Sequence, residues 1–281
     1  MSVLSRFRPA LLLAAIAAAA PAALAAEPEA APATPPAAAA SKAPGGFSDR
    51  LFLAFFQDAA LVPSQWWEGQ LEYANGNDDI PVNVFLVRGV VAFRPYKNLE
   101  VGGRVGFGTT HGEGAGPDGT GATDLDAYGK WVFPDAADHT DFSAGVVFTV
   151  PTGDDTAGLG FNSFAAQAFG GVRYRTENIV IGGHVGVRMN QDGRFQGVPL
   201  DGKASFEMGF SALFLLAHEV SLVGEAQLET DRFENVDANT QLLFGVNWMA
   251  FPRGMFRGAV SAGLTNGAPD YRLLLGYAYT F

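Results

Sequence analysis

The chain has 281 residues, 18 basic against 29 acidic side chains, a net charge of −11 and no cysteine. So acidic a chain is a poor partner for nucleic acid, and the lack of thiols excludes cysteine catalysis and thiolate metal sites while fitting an oxidising compartment. Its 35 glycines, many aromatics and few lysines suit strands and tight turns better than helices.

Arg6 and Arg8 precede an apolar run from Ala10 to Ala20, and Ala23-Leu24-Ala25 forms a small-x-small cleavage site before Ala26. Residues 1–25 therefore read as a Sec signal peptide. A retained membrane anchor is disfavoured because the run is short, broken at Pro21 and mostly alanine. Cleavage removes two bases and no acid, leaving a net charge of −13. Residues 26–46 are rich in alanine and proline with almost nothing to bury, as expected of a flexible periplasmic linker. Residues 47–64 contain Leu51-Phe52-Leu53-Ala54-Phe55-Phe56, too apolar to float free in water. A plug in a barrel mouth, a short helix beneath it and a layer on the inner leaflet all accommodate this segment, with interfacial packing preferred over a plug.

Residues 65–281 show about twelve runs with a period of two, the pattern of strands with one face in an apolar medium. They begin near Gln65, Val82, Leu99, Thr123, Asp141, Phe161, Asn178, Lys203, Val220, Asn239, Met255 and Asp270. Links alternate between short, as at Pro95 to Asn98 and Thr176-Glu177, and long, as at His111 to Ala122, Thr152 to Gly160, Gln191 to Gly202 and Thr230 to Ala238. The expected fold is an all-β, closed antiparallel transmembrane β-barrel with short periplasmic turns and long outer loops.

One face of these strands is apolar: Phe85, Val87, Val91 and Phe93 in the second, Ile179, Ile181, Val185 and Val187 in the seventh. No charge falls on it in any strand, which lipid exposure selects and a water-facing sheet does not. A secreted β-sandwich is the alternative, but it hides its apolar face inside and needs no interfacial rings. Trp67, Phe93, Phe133, Phe142, Tyr174, Phe214, Trp248 and Phe256 gather where the strands should meet the inner leaflet, an aromatic girdle. The last strand ends on Tyr279 and Phe281, and a terminal aromatic after an alternating strand resembles the assembly signal read by outer-membrane barrel assembly machinery.

The opposite face carries eight acids against nine bases. The candidate lumen-lining residues are Arg88, Arg104, Asp126, Lys130, Arg173, His184, Arg188, Glu207, Glu225 and Arg257, beside Glu68, Glu72, Glu100, Asp124, Arg94, Arg175, Glu229, Arg272 and Tyr128. A balanced interior pairs its own charges, which is first a stability device, and it argues against a strongly ion-selective pore. Twelve strands lie between barrels that side chains fill and barrels that leave an open channel, so the passage should be narrow, gated or plugged.

Asp78, Asp79, Glu113, Asp118, Asp154, Asp155, Asp192, Asp201, Asp231, Glu234, Asp237 and Asp270 make the outer loops acidic. A solvated, soluble loop surface is the preferred reading and contact with lipopolysaccharide through divalent cations the alternative; none of the loops has the spacing of a calcium loop, so no metal site or cofactor is expected. No serine-hydrolase elbow or zinc-protease motif is present; of His111, His139, His184 and His218, only His184 falls on the luminal face. A lipid-modifying enzyme would need a Ser-His pair at the outer rim, where His184 does not sit.

Gln65-Trp66-Trp67-Glu68, Gly121-Ala122-Thr123-Asp124-Leu125-Asp126, Val150-Pro151-Thr152-Gly153-Asp154 and Gly263-Leu264-Thr265-Asn266-Gly267-Ala268-Pro269-Asp270 occur in an order that resembles the transporters of the phenol-degradation MetA pathway. The resemblance spans roughly Gln57 to Phe281. It implies an outer-membrane barrel of a Gram-negative bacterium passing small organic molecules, often hydrophobic or aromatic; it supplies no site residues. The expected function is passive passage of such solutes across a lipid bilayer, with a purely structural barrel and a lipid-modifying enzyme as alternatives.

Overall fold

The computed structural model describes residues 58–77, 82–112, 118–217 and 219–281. The leader, the linker, the run Leu51 to Phe56, the loop acids Asp78, Asp79 and Glu113, and His218 lie outside them. The described residues form strands and no helix: β1 (Gln65–Asn75), β2 (Val82–Tyr96), β3 (Leu99–Gly112), β4 (Gly119–Ala122), β5 (Leu125–Ala137), β6 (Thr140–Val150), β7 (Ala165–Arg175), β8 (Ile179–Asn190), β9 (Gly193–Phe195), β10 (Val198–Leu200), β11 (Ala204–Ala217), β12 (Val220–Glu229), β13 (Asn239–Phe251), β14 (Gly254–Gly263) and β15 (Tyr271–Thr280).

Twelve of these close a barrel. Each pairs antiparallel with the next in the order β1, β2, β3, β5, β6, β7, β8, β11, β12, β13, β14, β15, and β15 returns to β1 from Trp66↔Thr280 to Asn75↔Tyr271. Closure leaves no sheet edge with unpaired amides, which a spanning sheet requires in lipid. β4 extends the wall beside β3, and β9 and β10 form a separate hairpin. That hairpin turns through Gln196 and Gly197, both at positive φ, the backbone that a two-residue hairpin demands.

Two strands differ from the sequence expectation. The end of the link His111 to Ala122, expected as loop, forms β4, and the fourth barrel strand follows as β5 from Leu125, after Thr123, which bonds Gly106 through both its hydroxyl and its amide. The sixth begins at Ala165 rather than near Phe161, because Asp124 accepts hydrogen bonds from the amides of Gly153 and Phe161 and holds residues 151–164 as a loop. Asp124 is thus a loop anchor and not a luminal charge. Arg94, also expected inside, is exposed at the end of β2.

All short turns lie at the end where β1 starts and β15 finishes, and all long loops lie at the other. Outward residues form an apolar band, with Phe85, Val87, Val185, Val187, Phe206, Met208, Phe210, Leu273 and Leu275 exposed. Among the described residues no Asp, Glu, Lys or Arg away from the strand ends faces outward. Val185, midway along β8, gives the direct check: Val185→Arg should cost about 2–4 kcal/mol, measured as a lower urea midpoint for refolding into vesicles, while Val185→Phe leaves it unchanged.

Candidate functional site

The interior of the barrel is polar along most of its length and divides into two regions. At the turn end the side chains are closed on one another. Arg257, from β14, donates from Nη1 to both oxygens of Glu68 on β1, at 3.0 and 2.9 Å, and from Nε to Asn247 Oδ1 on β13. Glu68 also accepts from Gln70 at 2.9 Å and from the Trp66 indole at 3.3 Å. Arg257 and Glu68 are almost fully buried, a situation tolerable only because each charge is met by several partners.

Beside this group stands a second one that includes residues outside the sheet. Glu100, on β3, pairs with Lys130 of β5 at 3.2 Å and accepts from Tyr128 Oη at 2.9 Å and from the amide of Val62 at 2.6 Å. Lys130 donates to the carbonyl of Asp58 at 2.8 Å, and Arg173 of β7 bonds the Asp58 carboxylate at 2.5 Å. Asp58, Ala59 and Val62 are buried, and Val62 packs with Trp66, Ala92, Tyr128, Met255 and Ala278. The stretch from Asp58 to Ser64 therefore enters the turn end of the lumen before β1 begins. Ser64 fixes its exit: the hydroxyl donates to the Phe281 carbonyl, and the Ser64 carbonyl accepts from the Arg94 amide. Gly102, paired with Tyr128, leaves room for that ring; a Cβ there would lie 2.6 Å from it.

At the loop end the lumen is more open. Glu72 lies between Arg272, at 2.5 Å, and Arg88, at 3.0 Å. Arg104 holds Asp126 at 2.6 Å through Nη2, and Thr149 donates to the other Asp126 oxygen at 2.7 Å. On the far wall Arg188 donates to Gln167, Gln167 and Gln227 donate to Glu207, and Arg188 lies 3.8 Å from Glu229. His184 is stacked on Phe169 with Nε2 3.8 Å from Glu207. Glu225 is buried on β12 in the same wall.

Three loops meet above this region. Phe161 of the β6–β7 loop stacks between Phe195 of β9 and Phe233 of the β12–β13 loop, each at 5.2 Å, and the Arg232 guanidinium lies over the Phe161 and Phe233 rings. The β6–β7 loop also reaches inward: Ala157 and Leu159 pack on Leu86, and Thr110 donates to the Ala157 carbonyl. Its turn is held by Asp154, which accepts from the Thr156 hydroxyl and from the Thr156 and Ala157 amides. The Thr156 hydroxyl bond, with that of the Ala157 amide, holds the Asp154 carboxyl below its usual range.

All ten candidate lumen residues face inward, but they do not form one site. Lys130, Arg173 and Arg257 belong to the closed turn end, and Arg88, Arg104, Asp126, Arg188 and Glu207 to the open loop end. The girdle residues Trp67, Phe93, Phe133, Phe142, Tyr174, Phe214, Trp248 and Phe256 are exposed on the outer face toward the turns. Phe133 pairs with Phe142, the Trp248 and Phe256 rings stack, and Tyr279 meets Phe281 edge to face. The role of Asp58 and the cluster of Phe161, Phe195, Phe233 and Arg232 escaped sequence reasoning. Among the described residues no group of His, Asp and Glu is arranged to hold a metal ion.

Solved structures share this architecture. Against the COG4313 outer membrane channel from Pseudomonas putida F1 the TM-score is 0.65 at 15% identity, covering 80% of this chain and 97% of that one. Against the KdgM porin, solved with disordered oligogalacturonate, it is 0.55 at 8% identity, covering 77% and 99%. The NanC porin gives 0.55 at 9% identity, covering 76% and 100%. The fold is thus that of outer-membrane channels and porins. No protein-family model and no curated protein matches the chain.

Proposed function

We propose that the chain is an outer-membrane barrel for passive passage of small organic solutes, closed at its periplasmic end by the segment from Asp58 to Ser64. The supporting observation is the composition of that closure. The turn end is blocked partly by a stretch outside the sheet, held by polar contacts to Glu100, Lys130 and Arg173 and by the packing of Val62. Such a stretch can leave without breaking a strand pairing, whereas a wall built only of strands cannot. The fold shared with channels and porins supports the same reading, and the motif resemblance to the phenol-degradation group favours solutes with a hydrophobic or aromatic part. Lipid around the apolar band, lipopolysaccharide at the outer loops and the barrel assembly machinery are the partners this reading entails; no catalytic step is assigned to any residue.

The thorough burial of the turn-end charges favours a second reading, a structural barrel that never opens. Refolding the mature chain into liposomes and planar bilayers separates the two. Discrete conductance or swelling driven by small solutes supports passage. Silence from a heat-modifiable, folded barrel, persisting when the Asp58 contacts are removed, supports the structural role. Arg188→Ala, in the open half, should change permeability while leaving membrane insertion as it was; a loss of insertion instead would make Arg188 a structural residue.

A further inference from the structure

We propose that the loop-end half of the lumen is a binding site for small, singly charged organic carboxylates. The inference deepens the reading of the barrel as a passage and rests on it for biological meaning, though not for its chemistry. By count the region is close to neutral: Arg88, Arg104, Arg188, Arg232 and Arg272 stand against Glu72, Asp126, Glu207, Glu225 and Glu229. Their exposure is not balanced. The Arg104 side chain is 37% exposed against 19% for Asp126, and Arg88 16% against 4% for Glu72. The order is the same for Arg188 with Glu207, Arg232 with Glu229 and Arg272 with Glu72.

The greater length of arginine does not produce this by itself. At the turn end Arg173 and Asp58 are equally buried, and so are Lys130 and Glu100, both at 0%. At the loop end the carboxylates are recessed into the wall and the guanidiniums form the surface that water and solutes meet. A cation is kept from the acids by the arginines in front of them, and an anion meets donors first. Arg104 commits Nε and Nη2 to Asp126, leaving Nη1 with no hydrogen-bond partner among the described residues; Arg88 likewise faces Glu72 through Nη1 and leaves Nη2 without one.

A guanidinium edge matches the two coplanar oxygens of a carboxylate better than it matches a spherical ion. Each arginine is already partly compensated by its wall acid, so the site accommodates one added negative charge rather than several. Phe161 and Phe195, half-buried in the loop cluster with Arg232 over the Phe161 ring, supply apolar surface beside these arginines for the organic part of the ligand.

The test is calorimetric titration of the refolded mature chain in detergent with benzoate, with benzamide as the uncharged mimic and inorganic phosphate as the competing anion. Saturable benzoate binding is expected, weakening as salt rises, with no binding of benzamide. Arg104→Gln and Arg88→Gln should each weaken benzoate binding about fivefold, the factor that roughly 1 kcal/mol represents, with heat-modifiable gel mobility unchanged. Benzamide binding as well as benzoate, phosphate binding more tightly than benzoate, or no saturable benzoate binding would each overturn the proposal. Benzoate binding by a barrel that never conducts would leave the site standing and remove the passage reading; conductance without benzoate binding would do the reverse.

Discussion

Asp58→Lys should convert a mostly closed barrel into a mostly open one. The substitution replaces the carboxylate facing Arg173 with a third cation beside Lys130 and Arg173, and leaves only the backbone carbonyl of residue 58 to meet Lys130. Juxtaposed like charges cost several kcal/mol, and about 5.5 kcal/mol suffices to turn a 1:99 population into 99:1. The Asp58 to Ser64 stretch is then expelled from the lumen, and the two vacated cations are hydrated rather than left bare. Planar-bilayer recordings should show long open dwells and a higher mean conductance, and liposomes should swell faster in small neutral solutes. An unchanged closed baseline from a folded variant would mean that the strand wall, not this stretch, seals the lumen.

The second large effect concerns the barrel itself. Arg257→Ala should destabilise the folded protein by about 3–5 kcal/mol, the cost of leaving a buried charge without its partner. Glu68 would keep only Gln70 and Trp66 as donors among the contacts described above. Replacing both members, Arg257→Met with Glu68→Leu, should recover most of that loss, because neither residue then carries charge into a dry interior. Urea midpoints in lipid vesicles measure both. A single variant as stable as wild type would show that water already reaches Glu68.

Much of this fold is legible in the sequence because lipid imposes a strict rule on strands. Phe85, Val87, Val185 and Val187 had to alternate with Leu86, Arg88, His184 and Gly186, and a one-residue slip would carry Arg88 or Arg188 into hydrocarbon. The lumen face followed by parity. What parity does not supply is depth: Arg104 and Arg173 read alike along the chain, yet one borders an open space and the other is sealed. The loop contacts were hidden for a different reason. Phe161-Asn162-Ser163 alternates like a strand, and only the distant Asp124, Phe195 and Phe233 hold it as a loop. Asp58 was a single acid after an apolar run, and its partner Arg173 lies 115 residues away.

The bonds of Ser64 and Gln65 to the last residues bear on the order of events during assembly. Gln65 accepts from Thr280 across 215 positions of sequence, and Ser64 from β1's threshold reaches Phe281. A contact of such long range forms late, after the nearer hairpins have zipped. The polar partners of Asp58 and Val62 stand on β3, β5 and β7, whereas the contacts of Ser64 with Phe281 and of Val62 with Met255 and Ala278 form only when the first and last strands meet. An unfinished sheet therefore offers this stretch only part of its seat, and full occupancy reports that the cylinder is whole.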